Sequence, residues 1–152
     1  MNNEDEQIRE FLDSIPDNME IMEEGIDLQT QLEYLDYSHS FGPGDLSEGE
    51  TLHLANILFH PNTTLAGRKK ALVLLAHLGS VTAFRQIEKY HKQADNELKQ
   101  WSALALKECQ MFLETALTGE CSGFILGGLG GSGDKMRYYF LVMPVAEIPF
   151  TA

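Results

Sequence analysis

The sequence has few of the features that point to a secreted scaffold or to a membrane protein. Its 152 residues include two cysteines, Cys109 and Cys121, which lack CxxC spacing, so neither a disulfide framework nor a redox motif is predicted. No run of about 18 apolar residues is present, and the first residues lack the basic and apolar parts of a secretory signal. We therefore expect free thiols, no membrane partner and a cytoplasmic location.

Basic residues are scarce as well, above all near the N-terminus. The chain has 11 Lys+Arg against 23 Asp+Glu, a net charge of −12, and residues 1–50 contain 15 of the acids but only one base, Arg9. This negative charge repels phosphate backbones and anionic lipid, which argues against a nucleic-acid partner and against a membrane surface. It favours solubility or a basic protein partner.

The apolar residues that are present, 43% of the chain, can bury one core without a metal or a disulfide. From Thr51 they follow the helical period and predict helices at residues 51–59, 65–78, 81–92 and 97–117. The last of these is apolar nearly all round, which indicates an inner helix. The candidate capping residues are Asn62, Thr63 or Thr64, then Ser80, then Asp95 or Asn96.

Residues 1–46 are predicted to form an acidic helical segment. Asp17 and Glu20 have the spacing of a capping box, which would begin a helix there. The helical pattern continues with 4- and 3-residue spacing at Leu28, Leu32 and Leu35. The Gly, Pro and Ser content of residues 38–49 then predicts a loop.

Residues 119–152 change to a β-rich pattern. The runs SGFILGGLG and KMRYYFLVMP flank the turn sequence GSGD, which predicts a β-hairpin. A lone hairpin is only marginally stable in water, so it must pack on the helices or pair with another chain. A homodimer through this hairpin is therefore one of the open alternatives.

The central helices repeat a pattern. A shift of 32 residues aligns RKKALVLL (68–75) with QWSALALK (100–107), so that Ala71 matches Ala103. The unit of outer helix, polar turn, inner helix and short turn occurs twice within residues 47–118. Together with Arg68 and the Leu78-Gly79 helix end, this pattern resembles short HEAT-like repeats, although Gln100 replaces the arginine in the second unit.

The resemblance implies stacked helix pairs that bind other proteins. A minority of HEAT-like proteins are chromophore lyases or metal-dependent hydroxylases, and the hydroxylases use His-Glu dipeptides that this chain lacks. We therefore predict a single domain, residues 1–152, of the α+β class and mostly α. It would contain two HEAT-like helix pairs, an α-solenoid fragment, followed by a C-terminal β-hairpin.

A glycine-rich run from Gly128 to Gly133 formally fits GxGxxG. A dinucleotide site needs a strand before this motif, a helix after it and an acid about 20 residues later. A second β-rich run follows here instead of a helix. The run therefore predicts a hairpin turn, and we expect no cofactor.

Two Glu-x-x-His pairs, Glu50–His53 and Glu88–His91, have the spacing used by di-iron carboxylate sites. Such a site also needs a glutamate from each of two further helices, and residues 65–78 contain no acid. Glu50 can instead close a capping box on Ser47. We therefore predict no metal site.

No nucleophile has a recognisable catalytic setting, so we predict no catalytic residues and lean against an enzyme. Arg85, Lys89 and Lys92 form a basic stripe at i, i+4 and i+7 on one helix. This stripe is either a solvated face or a docking site for an acidic segment, such as the chain's own N-terminal third. Trp101 is either a core residue or a partner-binding hot spot.

The function that these patterns favour is a non-catalytic protein–protein interaction or scaffold module. One alternative is a small enzyme or ligand-binding protein whose site lies between the hairpin and the inner helices; a pocket with two or more convergent titratable groups would favour it. Another is an acidic inhibitor or immunity-type protein that binds a basic partner. The charge of residues 1–50 is the support for this last alternative.

The crowding of acids in residues 1–50 predicts that salt stabilises the protein. The Debye length falls from about 10 Å at 0.1 M salt to about 3 Å at 1 M, which screens the repulsion between like charges. We expect the melting temperature to rise with sodium chloride over this range. A falling melting temperature would mean that attraction between this segment and basic side chains outweighs the repulsion.

Overall fold

A computed structural model describes residues 3–14, 18–41 and 48–140 and shows an α+β fold that is mostly α. The elements in these ranges are, in chain order, α1 (Asn3–Ser14), β1 (Asn18–Ile21), α2 (Leu28–His39), α3 (Glu48–Phe59), α4 (Leu65–Leu78), α5 (Val81–Gln93), α6 (Asn96–Thr118), β2 (Ser122–Ile125), β3 (Gly131–Ser132) and β4 (Lys135–Met136).

The four helices predicted after Thr51 are confirmed, with small changes at their ends. The side chains of Thr64, Ser80 and Asp95 each accept a hydrogen bond from the backbone N–H three residues on, at 3.1, 3.2 and 3.2 Å. These bonds satisfy N–H groups that have no partner within a helix, which is why each helix begins there. Gly79 ends α4 with φ 51°, a left-handed conformation that glycine adopts without strain.

These helices pack as two neighbouring pairs. α3 packs on α4 and α5 packs on α6, while α4 contacts α6 and α3 contacts α5. The inner helices α4 and α6 form the centre of the core, where Ala71 and Ala103 are buried. Arg68, near the start of α4, also links this helix to the end of α3. Its Nη2 donates hydrogen bonds to the carbonyl oxygens of His60 and Pro61, the residues just after α3.

The N-terminal third differs from its prediction. Residues Asn18–Ile21 form a strand, so the helix predicted from a capping box at Asp17 and Glu20 is wrong; Asp17 itself lies outside the described residues. The helical spacing of the three leucines is confirmed, and their helix α2 begins after Asp27, whose Oδ1 accepts a hydrogen bond from Thr30 N at 2.9 Å. α2 reaches His39 and α3 begins at Glu48, so both helices extend into the predicted loop of residues 38–49.

The C-terminal β-rich region also pairs differently from the prediction. β2 pairs in parallel with β1, Asn18 beside Ser122 and Ile21 beside Ile125, instead of pairing with the run that begins at Lys135. Within residues 48–140, the antiparallel pairing of the hairpin consists of β3 and β4, two residues each around Gly133. The parallel pairing is favoured because β2 lies on α6, where Phe124 and Leu126 pack against the core. The predicted strand residues 141–144 lie outside the described residues.

The glycine-rich run allows two backbone segments to approach closely. A Cβ at Gly25 would collide with Gly128 O, and a Cβ at Gly130 would collide with Glu23 O. Gly130 also has φ 66°, and Gly131 N donates to Glu23 O at 3.3 Å. These glycines therefore have a packing role, because they let residues 127–131 lie directly on the segment after β1.

No helix in the described part of the chain is both long enough and apolar enough to cross a membrane.

The glycine contacts predict that Gly130→Ala destabilises the fold by about 1–3 kcal/mol, because the new Cβ meets a backbone carbonyl and the residue keeps a positive φ. Gly128→Ala is the matched control, since a Cβ there has open space. Urea unfolding of both variants measures the difference. Equal stability of the two would contradict this packing of residues 127–131.

Candidate functional site

The basic stripe predicted as a partner site lies on the outer surface of α5. Arg85, Lys89 and Lys92 are all exposed. The Lys89 ammonium is 5.1 Å from the centre of the Phe59 ring, and Lys92 pairs with Glu88 at 3.5 Å within the same helix. An exposed stripe is compatible both with a solvated face and with a docking site for an acidic segment. Partner binding by this stripe stays a prediction.

Acids of the N-terminal third contact other cations. Glu20 pairs with Lys107 on α6, and Glu33 on α2 pairs with Lys69 on α4 at 3.3 Å. Among the described residues, these two ion pairs therefore reach α6 and α4 rather than the stripe on α5. Exposed pairs of this kind contribute about 0–1 kcal/mol each, so they orient the segment more than they stabilise it.

Trp101 is a core residue. Its side chain is only 2% exposed and its Nε1 donates to Lys69 O at 3.3 Å. Tyr34 and Tyr37 contact the indole edge-on at 5.1 and 5.7 Å between ring centres, and the Lys69 ammonium lies 4.3 Å from the ring centre. Trp101 thus joins α2 to the inner helices, which favours the core alternative, and a role in partner binding stays a prediction.

A polar cluster that the sequence analysis missed lies where α2, α4 and α6 meet. The Glu108 carboxylate on α6 accepts hydrogen bonds from Tyr34 OH at 2.6 Å and from Ser38 Oγ at 2.8 Å. Nε2 of His77 on α4 is 2.7 Å from Ser38 Oγ and 3.4 Å from the same carboxylate. Three helices therefore converge on one buried charge.

The hydrogen-bond pattern makes this cluster structural and not catalytic. The Ser38 hydroxyl has one hydrogen, which it donates to Glu108, so it accepts from His77 and Nε2 must carry a proton. A protonated nitrogen cannot act as a base for the serine that it donates to. Ser38 is also buried, near the C-terminal end of α2.

The cluster holds Glu108 ionised. Burial acts to raise the pKa of Glu108, but hydrogen bonds from His77, Tyr34 and Ser38 together outweigh burial and lower it below the ordinary value. The same arrangement raises the pKa of Tyr34 well above its ordinary value, first through burial and then through the Glu108 charge. The hydrogen bonds from these three donors thus offset the cost of taking the Glu108 carboxylate out of water.

A second histidine ties the segment after β1 to the helices. His91 Nδ1 is 2.8 Å from Ser102 Oγ on α6, and its Nε2 is 3.4 Å from the Glu24 carboxylate. Ser102 is fully buried and donates to Lys99 O, so it accepts from His91 and is not placed as a nucleophile. Burial raises the pKa of the Cys109 thiol to about 12, which also keeps that residue unreactive.

Two adjoining clefts lie between the segment after β1 and α6. The first, of about 520 Å³, lies between Met19–Glu24, α6 and the hairpin tip at residues 132–134. Its titratable side chains are Glu20, Glu23, Glu24, Lys107 and Asp134. The second, of about 570 Å³, shares Glu23, Glu24 and Ala103 with the first and adds His91, Lys99 and Arg137.

The first cleft lies in the place expected for a ligand site between the hairpin and an inner helix, and it has more than two titratable groups. It contains one hydroxyl, Ser132, and no histidine or cysteine among its described lining residues. Within the described part of the chain, no three His, Cys, Asp or Glu side chains are grouped as they would be to hold a metal. The cleft can therefore bind a polar molecule.

Comparison with protein-family models, with curated proteins and with solved structures gives no match.

The cluster predicts a stability change in acid. Because its folded pKa is depressed, Glu108 contributes stability above the unfolded value of about 4.3 and loses it as the pH falls through the folded pKa. Glu108→Gln should cost about 1–3 kcal/mol at pH 7, and this cost should shrink as the pH falls from 7 through the folded pKa of Glu108. Melts across this range check it against Glu120→Gln, an exposed control. A deficit independent of pH would contradict the ionised state.

Proposed function

We propose that the protein is a non-catalytic protein-interaction module built on a short, HEAT-like stack of helix pairs. The packing of α3 on α4, α5 on α6 and α4 on α6 supports this reading, because stacked pairs of this kind present long helix surfaces to partners. The two histidine-centred contacts have structural roles, which also favours binding over catalysis.

One observation carries the proposal: α2 turns three leucines toward solvent. Leu28, Leu32 and Leu35 are 67%, 52% and 42% exposed and form one stripe, which we call the leucine face. The hydrogen bonds of Tyr34 and Ser38 to Glu108 hold the neighbouring face of α2 inward, so the leucines cannot rotate into the core without breaking those bonds. A contiguous exposed apolar face is typical of a protein-binding surface.

A homodimer through the C-terminal hairpin belongs to the same proposal as a further contact. Tyr138, Tyr139 and Phe140 come one residue after β4 and are 66%, 87% and 86% exposed. Aromatic side chains are enriched at interfaces because they bury a large area at little entropic cost. A cytoplasmic location is also proposed, supported by two free cysteines, one of them exposed.

A ligand-binding protein is the second candidate, and the first cleft is the observation that favours it. Four carboxylates and one lysine line that cleft, and Glu20 already pairs with the lysine, Lys107. The remaining acids would select a cationic or hydrogen-bond-donating molecule. We keep this candidate second because of the exposed leucine face, although the convergence of more than two titratable groups in the cleft favours it.

The interaction proposal predicts that Leu32→Asn removes binding partners without harming the fold. Leu32 is half exposed, so its replacement should change stability by less than about 1 kcal/mol, whereas loss of an apolar anchor at an interface costs more. Affinity capture from the native cell should recover a stoichiometric protein with the wild type and not with Leu32→Asn. Leu117→Asn, on the exposed end of α6, is the matched control.

Capture that is unchanged by Leu32→Asn would contradict the leucine face as the binding surface. A small molecule retained on the natively purified protein, with no captured protein, would favour the second candidate.

A further inference from the structure

Two cations at the second cleft have no carboxylate partner. Arg137, just after β4, donates from Nη1 to the carbonyl oxygens of Glu23 and Leu129 at 3.0 and 3.4 Å. Lys99, near the start of α6, donates from Nζ to His91 O at 2.6 Å. Neither cation pairs with a carboxylate in the described part of the chain, although the sequence has 23 acids and 11 Lys+Arg. The backbone therefore fixes both cations at the cleft without neutralising them.

The hydrogen bonds of Arg137 leave one edge of its guanidinium unused. Nη1 has two hydrogens, and the two carbonyl oxygens can accept both of them. Nε and Nη2 have no acceptor among the residues that the structure describes. The Nε–Nη2 edge of a guanidinium can bind a carboxylate through two parallel hydrogen bonds. Arg137 is thus held in place with the edge that suits an anionic group still unoccupied.

The same cleft has one carboxylate without a cationic partner. Of its two lining glutamates, Glu24 lies 3.4 Å from Nε2 of His91. The carboxylate of Glu23 pairs with no cation within residues 3–14, 18–41 and 48–140. The charges left for a ligand are therefore two positive ones, on Arg137 and Lys99, and one negative one, on Glu23.

This set of charges favours a ligand that carries both signs. A simple anion would be repelled by Glu23 and by the net charge of −12, and a simple cation would be repelled by Arg137 and Lys99. A molecule with one ammonium and one carboxylate has no net charge and complements all three side chains. The cleft volume of about 570 Å³ lies within the range of roughly 300–1,000 Å³ that is usual for small-molecule sites.

We propose that the second cleft binds a small zwitterion, an amino acid or a short peptide. Its carboxylate bonds to Arg137 and Lys99, and its ammonium pairs with Glu23. This binding activity goes beyond the proposed interaction function and does not involve the leucine face. Its failure would therefore leave the interaction function untouched.

The test measures binding to the full chain by calorimetry. The probes are the twenty common amino acids and a set of dipeptides, and at least one of them should bind. The tightest ligand is then compared with its N-acetyl derivative, which lacks the ammonium, and with its amide, which lacks the carboxylate. Each derivative should bind about tenfold or more weakly, because each loses a charge-assisted contact. Whether the tightest ligand is an amino acid or a dipeptide identifies the source.

Three substitutions connect the affinity to the named side chains. Glu23→Gln should weaken the parent ligand about tenfold or more and leave the N-acetyl derivative unchanged. Lys99→Gln and Arg137→Gln should each weaken the parent and the N-acetyl derivative but not the amide. A general loss of structure would weaken all three ligands together. Arg85→Gln is the matched control, since it removes an exposed positive charge from α5 outside the cleft.

Four outcomes would overturn the proposal. One is that no amino acid or dipeptide binds. Another is that a derivative, or acetate alone, binds as tightly as the parent ligand, because the site would then recognise a single charge. A third is an affinity for the parent ligand that Glu23→Gln leaves unchanged. The last is an equal loss of affinity in Arg85→Gln, which would reflect the net charge of the protein and not the cleft.

Discussion

The buried carboxylate of Glu108 determines how the N-terminal third lies on the helices. Tyr34 and Ser38 are one turn apart on α2, and both donate to this carboxylate, so the rotation of α2 about its own axis is fixed. His77 adds a third donor from α4 and completes the hydrogen bonding that a buried charge requires. The same rotation turns the leucine face outward. One hydrogen-bonded charge therefore connects the packing of the core to the surface proposed for binding.

The helices of residues 48–118 could be predicted because their signals are local. Thr64, Ser80 and Asp95 act on N–H groups three residues away, and Gly79 ends a helix through its own backbone conformation. The pairing of β1 with β2 could not be predicted in this way, since Asn18 and Ser122 are far apart in sequence. The pairing of strands depends on which apolar surface they can cover. Here β2 covers the core through Phe124, and this packing favours its pairing with β1.

The candidate site was harder to predict for a similar reason. Glu108, His77 and Ser38 come from three helices and have no mutual spacing, so no motif could indicate that they meet. The helical period of the three leucines was visible in the sequence, but period alone does not say which face of an amphipathic helix is buried. Their exposure depends on Tyr34, whose ring packs on Trp101 at 5.1 Å. That contact exists only in the folded chain.

α2 packs its aromatic side on the core through Tyr34 and exposes three leucines on another side. Rotating the helix by roughly a third of a turn would bury the leucines but would remove two of the three donors of the Glu108 carboxylate and the contact of Tyr34 with Trp101. Loss of donors to a partly buried charge is unfavourable, and the observed rotation keeps them. Apolar side chains that stay exposed although their helical spacing would allow burial are typical of functional surfaces. The leucine face, which we propose as the binding surface, is thus kept exposed by the packing of α2 on the core.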